Sequence, residues 1–113
     1  MIMVKWKNKR PDMDVIIQSL GFKAGENLEA YVQEKVAKLE TLSNNIIRAN
    51  VTLFLGADGV ADNNVCEIRL EVPGNDHFVK KNADNFEQAI VEAVDTLQNM
   101  LRKSKEKQLD RRP

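Results

Sequence analysis

The chain has 113 residues, 42% of them hydrophobic and 30% charged, which is material for one domain with a modest core. A lone cysteine, Cys66, excludes an intramolecular disulfide framework. No apolar run approaches the roughly 20 residues of a membrane-spanning helix, and the basic opening segment lacks the apolar stretch of a secretory signal. These features lead to the expectation of a cytoplasmic protein.

Formal net charge is zero, with 17 basic and 17 acidic residues. Taken alone, that argues against a nucleic-acid partner. The charges are segregated, however. Residues 102–113 hold Arg102, Lys103, Lys105, Lys107, Arg111 and Arg112 against Glu106 and Asp110. The opening segment holds Lys5, Lys7, Lys9 and Arg10 against Asp12, and the body between carries seven basic and fourteen acidic residues. An acidic body with basic ends departs from the mixed signs of an ordinary solvated surface.

In chain order, residues 1–12 show no usable period and end at Pro11-Asp12. They read as a disordered basic arm or an upstream extension, with Met13 a candidate start of a shorter product. Met13 to Leu20 reads as a strand through the β-branched Val15, Ile16 and Ile17, followed by a turn between Gly21 and Gly25. Glu26 to Leu42 reads as a helix. Its stripe of Leu28, Tyr31, Val32, Val36, Leu39 and Leu42 recurs every three or four residues, with Glu26 and Glu29 in the first turn.

Ile46 to Leu55 alternates as a strand, with Ile47, Ala49, Val51, Leu53 and Leu55 on the inward side. A polar turn starts at Gly56. Val65 to Val72 is a second alternating strand with Cys66, Ile68, Leu70 and Val72 inward. Pro73-Gly74-Asn75 marks a turn before a short strand from Asp76 to Lys81. Asp84 to about Lys107 is a long helix with Phe86, Ala89, Ile90, Ala93, Val94, Leu97, Met100 and Leu101 on its apolar stripe. Asp84 and Glu87 have capping-box spacing.

The order is strand, helix, three strands, helix, an α+β arrangement. A four-stranded mixed sheet covered by two helices buries all the apolar faces at once, and the first helix serves as a crossover between parallel strands. The domain spans 13–108, and 109–113 form a flexible tail.

Signals for catalysis are poor. Cys66 is expected in the core, where it acts as a small apolar residue without an activating partner. His77 stands alone, without the three or four converging ligands of a metal site. Neither a GxGxxG nor a GxxxxGK loop is present. No catalytic residue, metal site or cofactor is expected, so a small hydrolase has no residues to nominate.

The basic residues are the sharper signal. A helix dipole explains one or two cations at the end of the second helix. It does not explain six in the eleven positions 102–112. Lys35 falls inside the apolar arc of the first helix and has to snorkel or reach a partner, with Lys38 at the edge of that arc. Lys80 and Lys81 precede the second helix. Together, Lys35, Lys38, Lys80, Lys81, Arg102, Lys103, Lys105 and Lys107 are the candidate phosphate-contacting set, suited to the shape of folded RNA and not to base reading. Aromatic stacking platforms look absent because the phenylalanines are scattered. The alternative is a protein-interaction module that binds an acidic partner through the basic helix end.

Four stretches carry a resemblance: Met13-Asp-Val-Ile-Ile-Gln-Ser-Leu-Gly-Phe22, Leu28-Glu-Ala-Tyr-Val-Gln-Glu-Lys-Val-Ala-Lys-Leu-Glu40, Asp84-Asn-Phe-Glu-Gln-Ala-Ile90 and Leu101-Arg-Lys-Ser-Lys-Glu-Lys107. In order and spacing they resemble the ribosome hibernation promoting factor family, also called ribosome-associated inhibitor or sigma-54 modulation protein, in its short form. The resemblance implies a β-α-β-β-β-α fold with both helices on one face of the sheet, like a double-stranded-RNA-binding domain. It implies binding to small-subunit rRNA in the decoding channel, exclusion of tRNA and mRNA, and idling of ribosomes in starvation or stationary phase.

By position, Lys35 and Lys38 match the lysines of the family's first helix. Lys81 matches a basic position of some relatives, and Lys103, Lys105 and Lys107 match those ending the second helix. The chain departs from the pattern at Glu29, Thr96 and Asn99, where relatives often carry basic residues, and at Glu87, where an aromatic is common. Long members of that family carry a second domain that pairs ribosomes; none is expected here, so ribosome dimerisation would require a separate factor.

Overall fold

The computed structural model describes residues 2–7, 13–22, 24–42, 46–57 and 63–110, without the side chains of 2–7 and 104–110. The elements are β1 (Ile2–Lys7), β2 (Asp14–Leu20), α1 (Glu26–Ala37) with a 3-10 turn at Lys38–Thr41, β3 (Arg48–Leu55), β4 (Asn64–Glu71), β5 (His77–Ala83) and α2 (Phe86–Asp110). One sheet runs in the order β1-β2-β3-β4-β5. β2 and β3 are parallel, and the other neighbours are antiparallel.

The α+β class, the mixed sheet and the two helices agree with the sequence reading. The sheet has a fifth strand, β1, drawn from the segment read as an arm. Ile2, Val4 and Trp6 alternate with Met3, Lys5 and Lys7, but Met3 blurs the period and six residues are too few to overcome it. Backbone pairing with β2 decides the matter, from Ile2 opposite Ser19 to Lys7 opposite Asp14. Residues 8–12 and 111–113 lie outside the described residues, and α2 reaches Asp110, beyond the expected domain end at 108.

Alternation along the strands sorts side chains between two faces. Val15, Ile17, Ala49, Val51, Leu53, Cys66, Ile68, Leu70, Val79 and Ala83 are buried on the helix-covered face. They meet Val32, Val36 and Leu39 from the first helical segment and Ala89, Ile90, Ala93, Val94, Leu97 and Leu101 from α2 in one cluster. Burying a residue such as Leu97 contributes roughly 1.5–3 kcal/mol. Two residues expected inward are not: Ile47 and Leu55 are each 53% exposed. They stand just before β3 and at its last position, where the alternation continues past the interior.

The N-terminal end of the helical layer is tied down locally. Gly21 adopts φ 81°, a left-handed conformation open to glycine, as β2 turns toward α1. Phe22 then stacks on Phe86 at 4.9 Å with planes 8° apart, joining this turn to the first residue of α2. The N-cap of α2 is Asn85, not Asp84. Its Oδ1 accepts from the Gln88 N–H at 2.8 Å, and its carbonyl accepts from Ala89 N–H at 3.2 Å. The Gln88 amide reaches forward to Glu92 at 3.1 Å and leaves the reciprocal half of a capping box unmade.

Replacing Leu97 with Ala should cost about 2–5 kcal/mol through a cavity in the shared interior. Asn85→Ala should cost about 1 kcal/mol through the lost cap. Urea denaturation with an unchanged m-value would check both.

Candidate nucleic-acid interface

The chain path determines which ends of the helices coincide. β2 and β3 run parallel, so α1, which connects them, runs against both. β5 is antiparallel to β4 and therefore runs with β3. α2 follows β5 and packs back across β4 and β5, so it runs against β5, and with it against β2 and β3 as α1 does. The two helices are side by side and point the same way. The 3-10 turn that ends α1 touches α2 as well.

This geometry polarises the helical layer. Glu26 and Glu29 lie in the first turn of α1, and Glu87 lies in the first turn of α2. Acidic residues therefore gather where two helix N-termini present partial positive charge. The C-terminal end carries Lys35 and Lys38 from the first helical segment, beside Glu34 and the buried Glu40, with Arg102 and Lys103 along the second helix. Lys38, Arg102 and Lys103 are exposed and Lys35 is half-buried. Nζ of Lys35 sits 5.2 Å from the centre of the Tyr31 ring, one turn earlier. That contact lets the aliphatic stem lie along the apolar arc while the ammonium stays at the surface. The spacing of Tyr31 and Lys35, four residues on a helix, was the sequence signal for it. Backbone placement continues the helix through Lys105 and Lys107, whose side chains lie outside the described residues.

Lys80 and Lys81 do not join that end. They sit two or three residues before the end of β5, next to the start of α2. Sixteen residues of α2, roughly 24 Å of helix, separate that start from Arg102. The pair also divides between the two faces. Lys81 shares the side of Val79 and Ala83, whereas Lys80 lies on the open face with Phe78.

The open face has its own character. Nζ of Lys80 lies 5.8 Å from the centre of the Phe54 ring, and the Arg69 guanidinium lies 5.9 Å from that of Phe78. Phenylalanines far apart in sequence therefore share one face, although the strand register keeps them at opposite ends of it. Toward the Phe78 end is an open concavity lined by Asn50, Thr52, Glu67, Arg69, Glu71 and Asp76. Glu71 accepts from the Asn50 amide at 2.6 Å and pairs with Arg48 at 3.3 Å. Three carboxylates around one concavity repel phosphate, so this face suits RNA less well than the cationic helix ends.

Cys66 is buried on β4, as expected, opposite Leu53. Burial, with a smaller contribution from the neighbouring Glu67 carboxylate, pushes its thiol up to about 12. The thiol is therefore protonated at neutral pH and poorly nucleophilic. Among the described residues, no three histidine, cysteine, aspartate or glutamate side chains are grouped to hold a metal ion. A folded-state pKa above the reference of 9.0 gives stability that is fully present below pH 9 and lost as pH rises toward 12. Stability should therefore fall more steeply across this window in the native chain than in Cys66→Ala, as measured by urea midpoints at successive pH values. A thiol reagent at neutral pH should label Cys66 only after unfolding.

The sequence pattern of the family described as sigma 54 modulation protein / S30EA ribosomal protein matches residues 15–109. A search of curated protein sequences finds no match. Among solved structures, the N-terminal domain of Protein Y from Thermus thermophilus superposes with a TM-score of 0.67 at 24% identity, covering 77% of this chain and 92% of that one. A ribosomal subunit interface protein from Coxiella burnetii superposes with a TM-score of 0.71 at 12% identity, covering 81% of this chain and 97% of that one. Strand order, helix placement and the matched sequence pattern agree: the chain belongs to the sigma 54 modulation protein / S30EA ribosomal protein family.

Proposed function

We propose that this protein is a ribosome hibernation factor that acts in the cytoplasm by binding, without catalysis. Its cationic helix ends grip rRNA phosphates of the small subunit, and its folded body occupies the decoding channel and excludes tRNA and mRNA. The reading is supported by Lys35, Lys38, Arg102 and Lys103 lying toward the C-terminal ends of two helices that point the same way. Family membership supports the ribosome as partner.

The physical argument concerns local field, not net charge. At physiological salt a charge acts over about 8 Å, so acidic residues at the far end of the helices scarcely weaken the basic end. Phosphate contacts of this kind position a protein on folded RNA without reading bases. Lys105 and Lys107 extend the same helix and belong to the proposed grip. Lys80 stands apart from it on the open face, and Lys81 stands beside the start of α2.

Lys103, Lys105 and Lys107 changed together to Glu should abolish co-sedimentation with purified small subunits while far-UV circular dichroism stays native. The pair Lys35→Glu and Lys38→Glu should weaken co-sedimentation, and Lys80→Glu should leave it unchanged. Each lost phosphate contact should also lower the salt dependence of binding, by roughly 0.7–0.9 in log K against log salt. Undiminished binding by the triple variant would refute the reading, as would equal binding to an acidic protein.

A further inference from the structure

We propose that the outer edge of β2 is a self-pairing surface covered by β1, and that uncovering it joins two copies of this chain, β2 to β2, in one continuous sheet. The proposal is independent of the ribosome reading.

The observation behind it is how the strands at and near the sheet edges are composed. An edge strand offers unpaired N–H and C=O groups to any other strand, and soluble proteins protect such edges with charge, above all lysine. The two outermost strands here are β1 and β5. β1 contains Lys5 and Lys7, and β5 contains Lys80 and Lys81. β2 contains no lysine, arginine or proline. Its sequence, Asp-Val-Ile-Ile-Gln-Ser-Leu, is that of an interior strand. Its register with β3 is unbroken from Asp14 to Leu20, so no bulge interrupts the strand. β2 is therefore suited to a neighbour on each side, and β1 supplies the second one.

β1 is an addition to the shared domain. The family pattern begins at Val15, after β1 and the residues that follow it. The two solved relatives are matched over 92% and 97% of their own length by about four-fifths of this chain. A nearly complete unit of this fold is thus matched by fewer residues than this chain has. Among the described elements, the substantial contacts of β1 are with β2.

A second copy fits the uncovered edge. Two β2 strands related by a twofold axis through Ile17 pair antiparallel with themselves, the self-complementary geometry of a symmetric dimer. In that register Asp14 lies opposite the partner copy's Leu20 position, and Ile16 lies opposite its Gln18 position, so no like charges face one another. Ile16 is half-buried and Leu20 is 37% exposed, so both have apolar surface left to cover.

Sedimentation equilibrium across a wide concentration range tests this. The native chain should sediment as one copy. The full chain carrying Val4→Pro loses a backbone donor in the middle of β1, and a chain beginning at Met13 lacks the strand. Both should shift to twice the mass as concentration rises. Adding Ile16→Lys to either variant should restore a single copy, and so should an excess of a peptide of residues 1–12. Circular dichroism reports folding in every case. Folded variants that remain single copies would overturn the proposal, as would dimers indifferent to Ile16→Lys or to the peptide. Unfolding of the Met13 chain would also overturn it, because the body has to stand without β1, and so would a native chain that already sediments as a dimer.

Discussion

One apolar interior, shared by a single sheet face and two helix stripes, governs the rest of the molecule. The sheet has only one face to bury, so both helices pack on it, and the parallel connection between β2 and β3 requires α1 to run against the strands. The antiparallel path through β4 and β5 brings α2 back in the same direction. Each consequence for function follows from that packing. Cys66 is buried and kept protonated, while Lys38, Lys80, Arg69, Arg102 and Lys103 stay exposed.

Two helices pointing the same way add their dipoles. Acidic side chains at their N-termini and basic ones toward their C-termini are each favoured by about 0.3–1 kcal/mol, so the charge separation costs the fold little. A chain of zero net charge thereby distributes its cations unevenly along the helical layer. Screening limits the reach of the acidic end, and a polyanion meets a local surface and not a total. Glu67, Glu71 and Asp76 place further carboxylates around the concavity on the open face of the sheet.

The sheet edges show the same economy applied to backbone groups. Outer strands with lysines flank inner strands with few, and β2 reads as inner although the shared family domain starts with it. Adding one six-residue strand changes which backbone groups of β2 meet solvent.

Much of this was legible in the chain itself. Period-two alternation in β3 and β4 and the stripe along α2 named Val51, Leu53, Ile68, Leu70, Ile90 and Leu97 as interior, because burial on one face leaves a local pattern. The excess of cations after Leu101 was visible as composition. The helix cap was misplaced by one residue because Asp84 and Asn85 are both competent caps, and only the hydrogen bond to Gln88 distinguishes them.

What the tertiary structure alone decided concerns direction, face and neighbour. Lys80 and Lys81 are adjacent in sequence yet point to opposite faces, and both lie far from Arg102 along α2. Phe54 and Phe78 share a face across strands 24 positions apart in the chain. β1 is a strand because β2 offers it a partner. A sequence records the period of each segment, but the position of one segment against another depends on long-range pairing. That pairing settles which of the cations announced by composition can act together.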